Sequence, residues 1–237
     1  MTVPLASLTP PEAVREQLWN EQQLAQPVAV PSFRLWRYRE PAIVLGCSQR
    51  RLLAQAGGLM PVLLRQSGGG AVLTGPWMLG LSVALPADHP MARQGLVASY
   101  RWLGEAIARV LRQGGVGAQA LAPEVLRAMP AERRTVVAWA CFGGLSPWEV
   151  LADGRKIAGL AQVRRASGVL LVGGLLLQPS PWRLMGEALG CEASDLRALA
   201  GATVSAAELA ANFDGQACAR RLELALQAAL EQEVCPM

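Results

Sequence analysis

Residues 148–177 constrain the fold more than any other stretch, because they read as three apolar runs in close succession. Residues 148–151 and 156–164 flank Asp153-Gly154, a pair suited to the left-handed backbone of a tight hairpin turn. Residues 169–177 follow and are expected to pair next. This third run holds Gly173-Gly174 and lies between Arg165 and Pro179. It is too short to span a bilayer and reads as a buried strand. Three strands joined this closely make an antiparallel sheet the natural centre of the fold.

The remaining pattern supplies more strands and the helices that cover them. Residues 10–23 are expected to form a first helix, with Pro11 at an early position and Ala13, Leu18 and Trp19 on its apolar side. Residues 33–38, 42–45, 61–64, 71–73, 79–85 and 135–141 have strand character. Residues 95–111 carry Leu103, Ile107, Val110 and Leu111 at helical spacing, and Gly114-Gly115 closes that helix. Residues 181–189 and 205–233 are expected to be helical, the latter interrupted near Asn212-Phe213-Asp214-Gly215. There is no internal repeat and no low-complexity linker. The expectation is an α+β fold: a mixed, largely antiparallel sheet flanked by helices. Residues 1–237 form one domain in this reading, with a helical C-terminal segment from about residue 205.

Composition narrows the function classes. The formal charge is only +4 and the arginines are dispersed, which argues against a nucleic-acid binder. No apolar run reaches membrane-spanning length, and Met1–Pro10 lacks a basic patch followed by an apolar stretch, so the cytoplasm is the expected compartment. The five cysteines (Cys47, Cys141, Cys191, Cys218 and Cys235) match neither a zinc ligand set nor a disulfide framework. No metal site is expected. Cys47 reads as packing, and Cys191, Cys218 and Cys235 are placed in C-terminal helices. His89, the only histidine, is expected on a surface loop, so a triad built on histidine is not expected. Trp36 and Trp77 read as core packing.

Two segments carry chemistry on their own residues. In Arg65-Gln66-Ser67-Gly68-Gly69-Gly70 the consecutive glycines allow either a flexible bend or an inward-facing nest of amides that receives an anion. Arg65 is able to fork onto a phosphate or carboxylate. The second segment is Gly154-Arg155-Lys156-Ile157-Ala158-Gly159. Of the 22 lysines and arginines only Lys156 is a lysine. It is either a solvated side chain on a hairpin or a compact ammonium doing what arginine cannot, and Gly159 leaves space beside it.

Together these segments resemble the lipoate-protein ligase and octanoyltransferase family, within the biotin/lipoate protein ligase catalytic-domain fold. Ile43–Gln49 is similar to its VxxG..Q strand, Leu64–Val72 to RRxSGGGAV, and Lys156–Gln162 to KIxGxAQ. The family's glycine loop lines the acyl or acyl-adenylate pocket. Its lysine polarises the acyl carbonyl or binds phosphate. The resemblance therefore implies site roles for Arg65, Ser67, Gly68, Gly69, Gly70 and Lys156, with Thr74, Gly159 and Gly173 beside them. The Gly173-Gly174 pair would admit another backbone or an acyl chain. Leu64 stands where the family has its first arginine, Thr74 where it has a histidine, and Val172-Gly173 where many relatives have His-Gly.

The segment Cys141-Phe142…Ser146…Trp148-Glu149…Gly154-Arg155-Lys156 resembles the cysteine-dependent octanoyltransferases and amidotransferases, in which the cysteine forms an acyl thioester. Without that resemblance, Cys141 reads as a small buried apolar residue. Adenylating relatives carry Asn-Asp where this chain has Trp148-Glu149, which favours transfer without ATP; Glu149 stays a candidate metal ligand otherwise. The C-terminal helices are also too few for the accessory domain of the larger ligases. The implied activity is transfer of an octanoyl or lipoyl group to a lysine of a lipoyl carrier domain or a glycine-cleavage H-type protein. The donor would be an acyl carrier protein, or free lipoate or octanoate. No cofactor is expected for the transferase, and ATP with Mg for the alternative, an acyl-adenylate ligase. The third reading is a non-catalytic binder of acyl groups or carriers.

Overall fold

The computed structural model describes residues 10–54 and 57–232. Nine strands form two sheets. The larger takes β1 (Ser32–Arg37), β5 (Met78–Leu85), β6 (Ala118–Ala120), β7 (Val150–Ala152), β8 (Arg155–Arg165) and β9 (Gly168–Leu176) in the order β1-β5-β9-β8-β7-β6. Every neighbouring pair in it is antiparallel. The smaller takes β2 (Ala42–Leu45), β3 (Val62–Leu64) and β4 (Val72–Thr74), with β2 central, parallel to β3 and antiparallel to β4. The mixed, largely antiparallel sheet expected from the sequence is the one observed. Asp153 and Gly154 have φ of 50° and 69°, the mirror-image turn that matches strand twist, and join β7 to β8.

The helices are α1 (Glu12–Ala25), α2 (Arg50–Leu53), α3 (Pro90–Arg93), α4 (Arg101–Gln113), α5 (Pro123–Ala128), α6 (Ala131–Arg134), α7 (Arg183–Leu189), α8 (Ala193–Ala202), α9 (Ala206–Leu209) and α10 (Gly215–Gln232). No helix among the described residues is long and apolar enough to cross a membrane.

Strand alternation gives the large sheet two covered faces. On one, Leu79, Leu81, Val83, Leu171 and Leu175 pack with Leu103, Ile107 and Leu111 of α4 and with Leu222 and Leu226 of α10. The opposite face carries Met78, Leu176 and Leu170. There Met78 and Leu176 join Trp36, the small sheet (Ile43, Leu45, Leu73) and Met185 and Leu199 of α7 and α8. Leu24 of α1 covers Ala84 and Leu170. This second layer is less continuous, and it is the face that holds the cavity described below.

Several sequence expectations need correction. Residues 135–141 form no strand. They curl into a loop in which the Val136 and Val137 amides both donate to the Gly143 carbonyl, with only isolated bridges at Thr135 and Ala140. Gly143 permits this, since a Cβ there would lie 2.3 Å from the Val137 oxygen. The helix expected from residue 95 starts later, as a 3-10 turn at Ala98–Tyr100 followed by α4, because Gly95 has a left-handed φ of 89°. His89 is buried and caps α3, its Nδ1 accepting from the Met91 amide. Cys47 is exposed, not packed. Cys191 lies between α7 and α8, whereas Cys218 sits within α10. Cys235 and Glu233 fall outside the described residues. The helix expected over residues 181–189 is present as α7, and α8 follows it where the sequence pattern indicates no helix.

Candidate functional site

Cys141 opens a one-turn 3-10 helix, Cys141–Gly143, and its backbone is tied from several directions. The Cys141 amide donates to the Ala71 carbonyl at 2.9 Å, and the Ala71 amide donates to the Trp139 carbonyl at 2.8 Å. The Gln49 side chain donates to that same Trp139 oxygen at 2.8 Å and accepts from the Gly46 amide at 3.0 Å. Gly70 is what lets the strand start and the cysteine loop meet. A Cβ there would lie 2.6 Å from Ala140 C, Cys141 N and the Trp139 oxygen. Gly46 plays the matching part below, since its Cβ would lie 1.9 Å from the Gly69 carbonyl oxygen.

Lys156 reaches the same loop from β8. Its side chain is 1% exposed and that of Glu149 is 2% exposed, with Nζ 2.7 Å from Glu149 Oε2. Nζ also donates to the Cys141 carbonyl at 2.7 Å and the Gly144 carbonyl at 2.8 Å, and sits 5.3 Å from the Phe142 ring centroid. An ammonium has three N–H donors, so all three are engaged. Glu149 is equally satisfied: Oε1 accepts from the Leu160 amide at 3.1 Å and Oε2 from the Ser146 amide at 2.8 Å. Burial pushes the Glu149 carboxyl up, while Lys156 and the two amides pull it back down. Gly159 provides room for the pair, as a Cβ there would lie 3.1 Å from Lys156 Cε. With both oxygens held internally, Glu149 is not presented as a metal ligand.

Arg65 faces inward. It is 7% exposed, and its guanidinium donates to the Val44, Gly68 and Gly70 carbonyls at 2.8–3.3 Å. The fork expected to hold a phosphate or carboxylate instead gathers carbonyls of the glycine loop. Burial lowers its pKa, and Cys141, Glu16 and Cys47 act in the opposite direction. The amides of Gly68, Gly69 and Gly70 donate to no described residue. Gly69 has φ of 90°, open to glycine at little cost. A loop with its carbonyls drawn to an arginine and its amides uncommitted has the make-up of an anion nest. Ser67 Oγ and Gln66 Oε1 are buried without a partner among the described residues. Thr74 is buried and donates to the Ala42 carbonyl at 3.1 Å.

Two cavities meet at Cys141. One is a mostly apolar cleft. Val72, Met78, Phe142, Leu160, Leu170 and Val172 form its walls, with Ser67, Thr74, Gly159, Gly173 and Gly174 among its lining. The other is an open groove along Gly68–Gly70, Ala140, Cys141, Ser146 and Gln162. The sheet register sets three glycines in a row beside the cleft, where Tyr38, Met78 and Lys156 use the space they leave. Gly80 of β5 pairs with Gly174 of β9, and Gly174 pairs with Gly159 of β8. Directly paired residues point to the same face, so three adjacent strands lack a side chain in one row. At the β8 end the row meets Lys156 and Glu149; at the β5 end the Tyr38 hydroxyl lies over Gly80.

Cys141, Arg65, Ser67, Thr74, Gly159 and Gly173 thus line the cleft, the three loop glycines line the groove that meets it at Cys141, and Lys156 is buried behind the Cys141 loop without lining either. Trp36 and Trp77 do not line it. Sequence reasoning gave no part to Gln49 beyond its place in a motif, nor to Glu16, Asn20 and Tyr38, which also line the cleft or its end. The i, i+4 spacing of Glu16 and Asn20 on α1, both polar on a face that packs inward, was the available signal.

Comparison with known proteins agrees with this geometry. Residues 11–209 match the model of the lipoyl protein ligase A/B catalytic domain. An octanoyltransferase LipM of Kyrpidia tusciae is 30% identical over 232 residues, covering 86% of this chain and 81% of that protein. Another, of an Exiguobacterium species, is 36% identical over 152 residues, 62% of this chain and 54% of its own length. The match thus spans about half the length of several of these curated relatives. Among solved structures, a bipartite lipoate protein ligase from Thermoplasma acidophilum superposes with a TM-score of 0.63 at 18% identity, over 94% of this chain and 81% of that one. A lipoate-protein ligase A bound with ATP gives 0.63 at 17%, over 92% and 81%. The expected fold is therefore observed, and the chain belongs to the lipoyl protein ligase A/B catalytic-domain family.

Proposed function

We propose that this protein transfers an octanoyl or lipoyl group to a lysine of a lipoyl carrier domain or glycine-cleavage H-type protein, through a thioester on Cys141. One observation carries the reading: Cys141 stands where a mostly apolar cleft meets an open groove lined by uncommitted glycine amides. An acyl chain fits the first, and the arms that deliver and receive it fit the second.

The Cys141 thiolate attacks the carbonyl carbon of a donor thioester. The new carbon–sulfur bond forms as the donor's thiolate leaves and takes up a proton. The amine of the carrier lysine then attacks the acyl-cysteine. A carbon–nitrogen bond forms, the Cys141 carbon–sulfur bond breaks, and the amine loses a proton. The charge that gathers on the carbonyl oxygen at each step is met by the amides of Gly68–Gly70. Lys156 acts as a positioning residue: its three bonds fix the Cys141 loop. Because those bonds occupy the ammonium fully, Lys156 is not assigned to the acyl carbonyl or to a phosphate. Octanoyltransferases named for LipM and for octanoyl-[GcvH] are among the relatives, which supports the substrate and carrier assigned here.

The test is the intact mass of an apo lipoyl carrier domain after incubation with this protein. One tube holds an octanoyl-carrier donor without ATP, the other free octanoate or lipoate with MgATP. An octanoyl gain in the first tube alone, abolished by Cys141→Ala, is the expected result. A gain only with MgATP makes the protein a ligase. A Cys141→Ala protein that transfers at the full rate removes the thioester.

A further inference from the structure

Trp139 stands two residues before Cys141 and is gripped at both its main chain and its side chain. Its carbonyl accepts from the Ala71 amide and from the Gln49 side chain, each at 2.8 Å, which uses both lone pairs. Its indole Nε1 donates to Asp195 Oδ2 at 2.7 Å. The first grip comes from the small sheet and the turn after β2, the second from α8. Neither Trp139 nor Asp195 lines the cleft or the groove, so neither is placed to touch an acyl group.

The indole bond is short. Its acceptor is a carboxylate in the first turn of α8, where the helix N-terminus favours negative charge. α8 packs directly on the Cys141–Gly143 turn. On the other side of Cys141, the centroid of the Phe142 ring lies 5.8 Å from that of Trp182, the residue before α7. The two aromatic residues that bracket Cys141 are thus both seated in the layer that α7 and α8 help to build.

The consequence for Cys141 follows from how closely the loop already packs. Main-chain atoms of residues 139–141 crowd the space beside Gly70, where a Cβ would lie 2.6 Å from three of them. The loop has no room to move toward the glycines and is free only to swing away. Release of the indole from α8 permits that swing, which lengthens the distance from the Cys141 sulfur to the Gly68–Gly70 amides. A misplacement of about 1 Å is enough to cost roughly a hundredfold in rate.

We propose that Asp195 is a positioning residue for acyl transfer: through the Trp139 indole it holds the Cys141 loop against the glycine amides, with Gln49 as the opposing grip. This deepens the function proposed above and rests on it.

The experiment measures kcat and KM for octanoyl transfer from an octanoyl-carrier donor to an apo lipoyl domain. It compares the full chain with Asp195→Leu, Trp139→Phe, the double variant and Asp195→Asn. Each of the first two is expected to lower kcat about tenfold and to leave KM within about twofold. The double variant should be about as slow as either single one, because both remove the same bond. Asparagine keeps an oxygen acceptor, so Asp195→Asn should recover much of the rate. The share of chains that take up octanoyl on Cys141 should stay at the parent level, which a general loss of folding would lower. Should Asp195→Leu fail to fold, Trp139→Phe and Asp195→Asn carry the comparison. Parent kcat in both single variants, a loss confined to KM or to the share of active chains, multiplied losses in the double variant, or no recovery in Asp195→Asn would each overturn the proposal. Cys141-dependent transfer indifferent to residue 195 keeps the function proposed above and removes this inference. A parent chain without Cys141-dependent transfer removes both.

Discussion

Glu149 and Glu16 are both buried carboxylates, the first beside the groove and the second beside the cleft that meet at Cys141, yet their surroundings differ. Glu149 meets an ammonium and two backbone amides, and both of its oxygens have partners. Glu16 meets one tyrosine hydroxyl and an asparagine whose oxygen lacks a donor. The first environment fixes a reactive backbone in place. The second is left incomplete by the protein itself. The difference lies in how far the surroundings of a buried carboxylate are satisfied, not in burial itself.

The sharpest way to break the comparison is at Lys156. Lys156→Met leaves Glu149 buried and unpaired, which is expected to cost about 3–5 kcal/mol of stability and to lower the melting temperature accordingly. Adding Glu149→Leu should restore much of the stability but not the acyl transfer. If Lys156→Met melts like the parent, the ion pair does not organise the loop.

The next effect belongs to Glu16. Burial pushes its carboxyl from the ordinary 4.5 up to about 7, so the folded protein binds more protons than the unfolded chain between those values. Stability is then fully present below about pH 4.5 and is lost as pH rises through 7, by about 3 kcal/mol in total. Glu16→Gln should flatten that part of the curve of melting temperature against pH and be the more stable protein at pH 8. Identical curves would mean that the carboxylate is better solvated than its burial implies.

Two alanines sharpen the contrast further. Gly70→Ala presses a methyl onto Ala140, Cys141 and Trp139 main-chain atoms at 2.6 Å, none of which can turn aside. Denaturant unfolding should show a loss of about 1–3 kcal/mol, together with slower alkylation or acylation of Cys141. Gly174→Ala meets only the Met78 sulfur at 2.8 Å, the flexible part of a side chain able to move. It should change stability by about 1 kcal/mol or less, and its effect should appear in acyl binding.

The difference between the two ends also accounts for what could be read from the sequence. The Cys141 end is built from contiguous motifs. Glycine triplets, a turn pair and a lysine after it keep their meaning locally, so Gly68–Gly70, Asp153-Gly154 and Lys156 were visible. Their partners were not. Nothing in the chain order says that Arg65 would turn to carbonyls of its own loop, or that Lys156 would be engaged by main-chain oxygens 12 and 15 residues upstream. The strand expected over residues 135–141 failed for the same reason: alternation there serves a loop braced from outside by Ala71 and Gln49. The remote end joins α1, the residue after β1 and the floor of β5, and only the folded register shows that Gly80, Gly174 and Gly159 share a row.

The three bonds of Lys156 also bear on the composition of the chain. An sp³ ammonium sends its hydrogens out as a tripod, toward three acceptors that lie in different directions. A guanidinium is flat, keeps its donors in one plane and is too broad for the space beside Gly159. Arginine, which fills every other basic position in this sequence, therefore has the right charge and the wrong shape at residue 156. The one exception in the sequence falls at a place where valence geometry leaves no substitute.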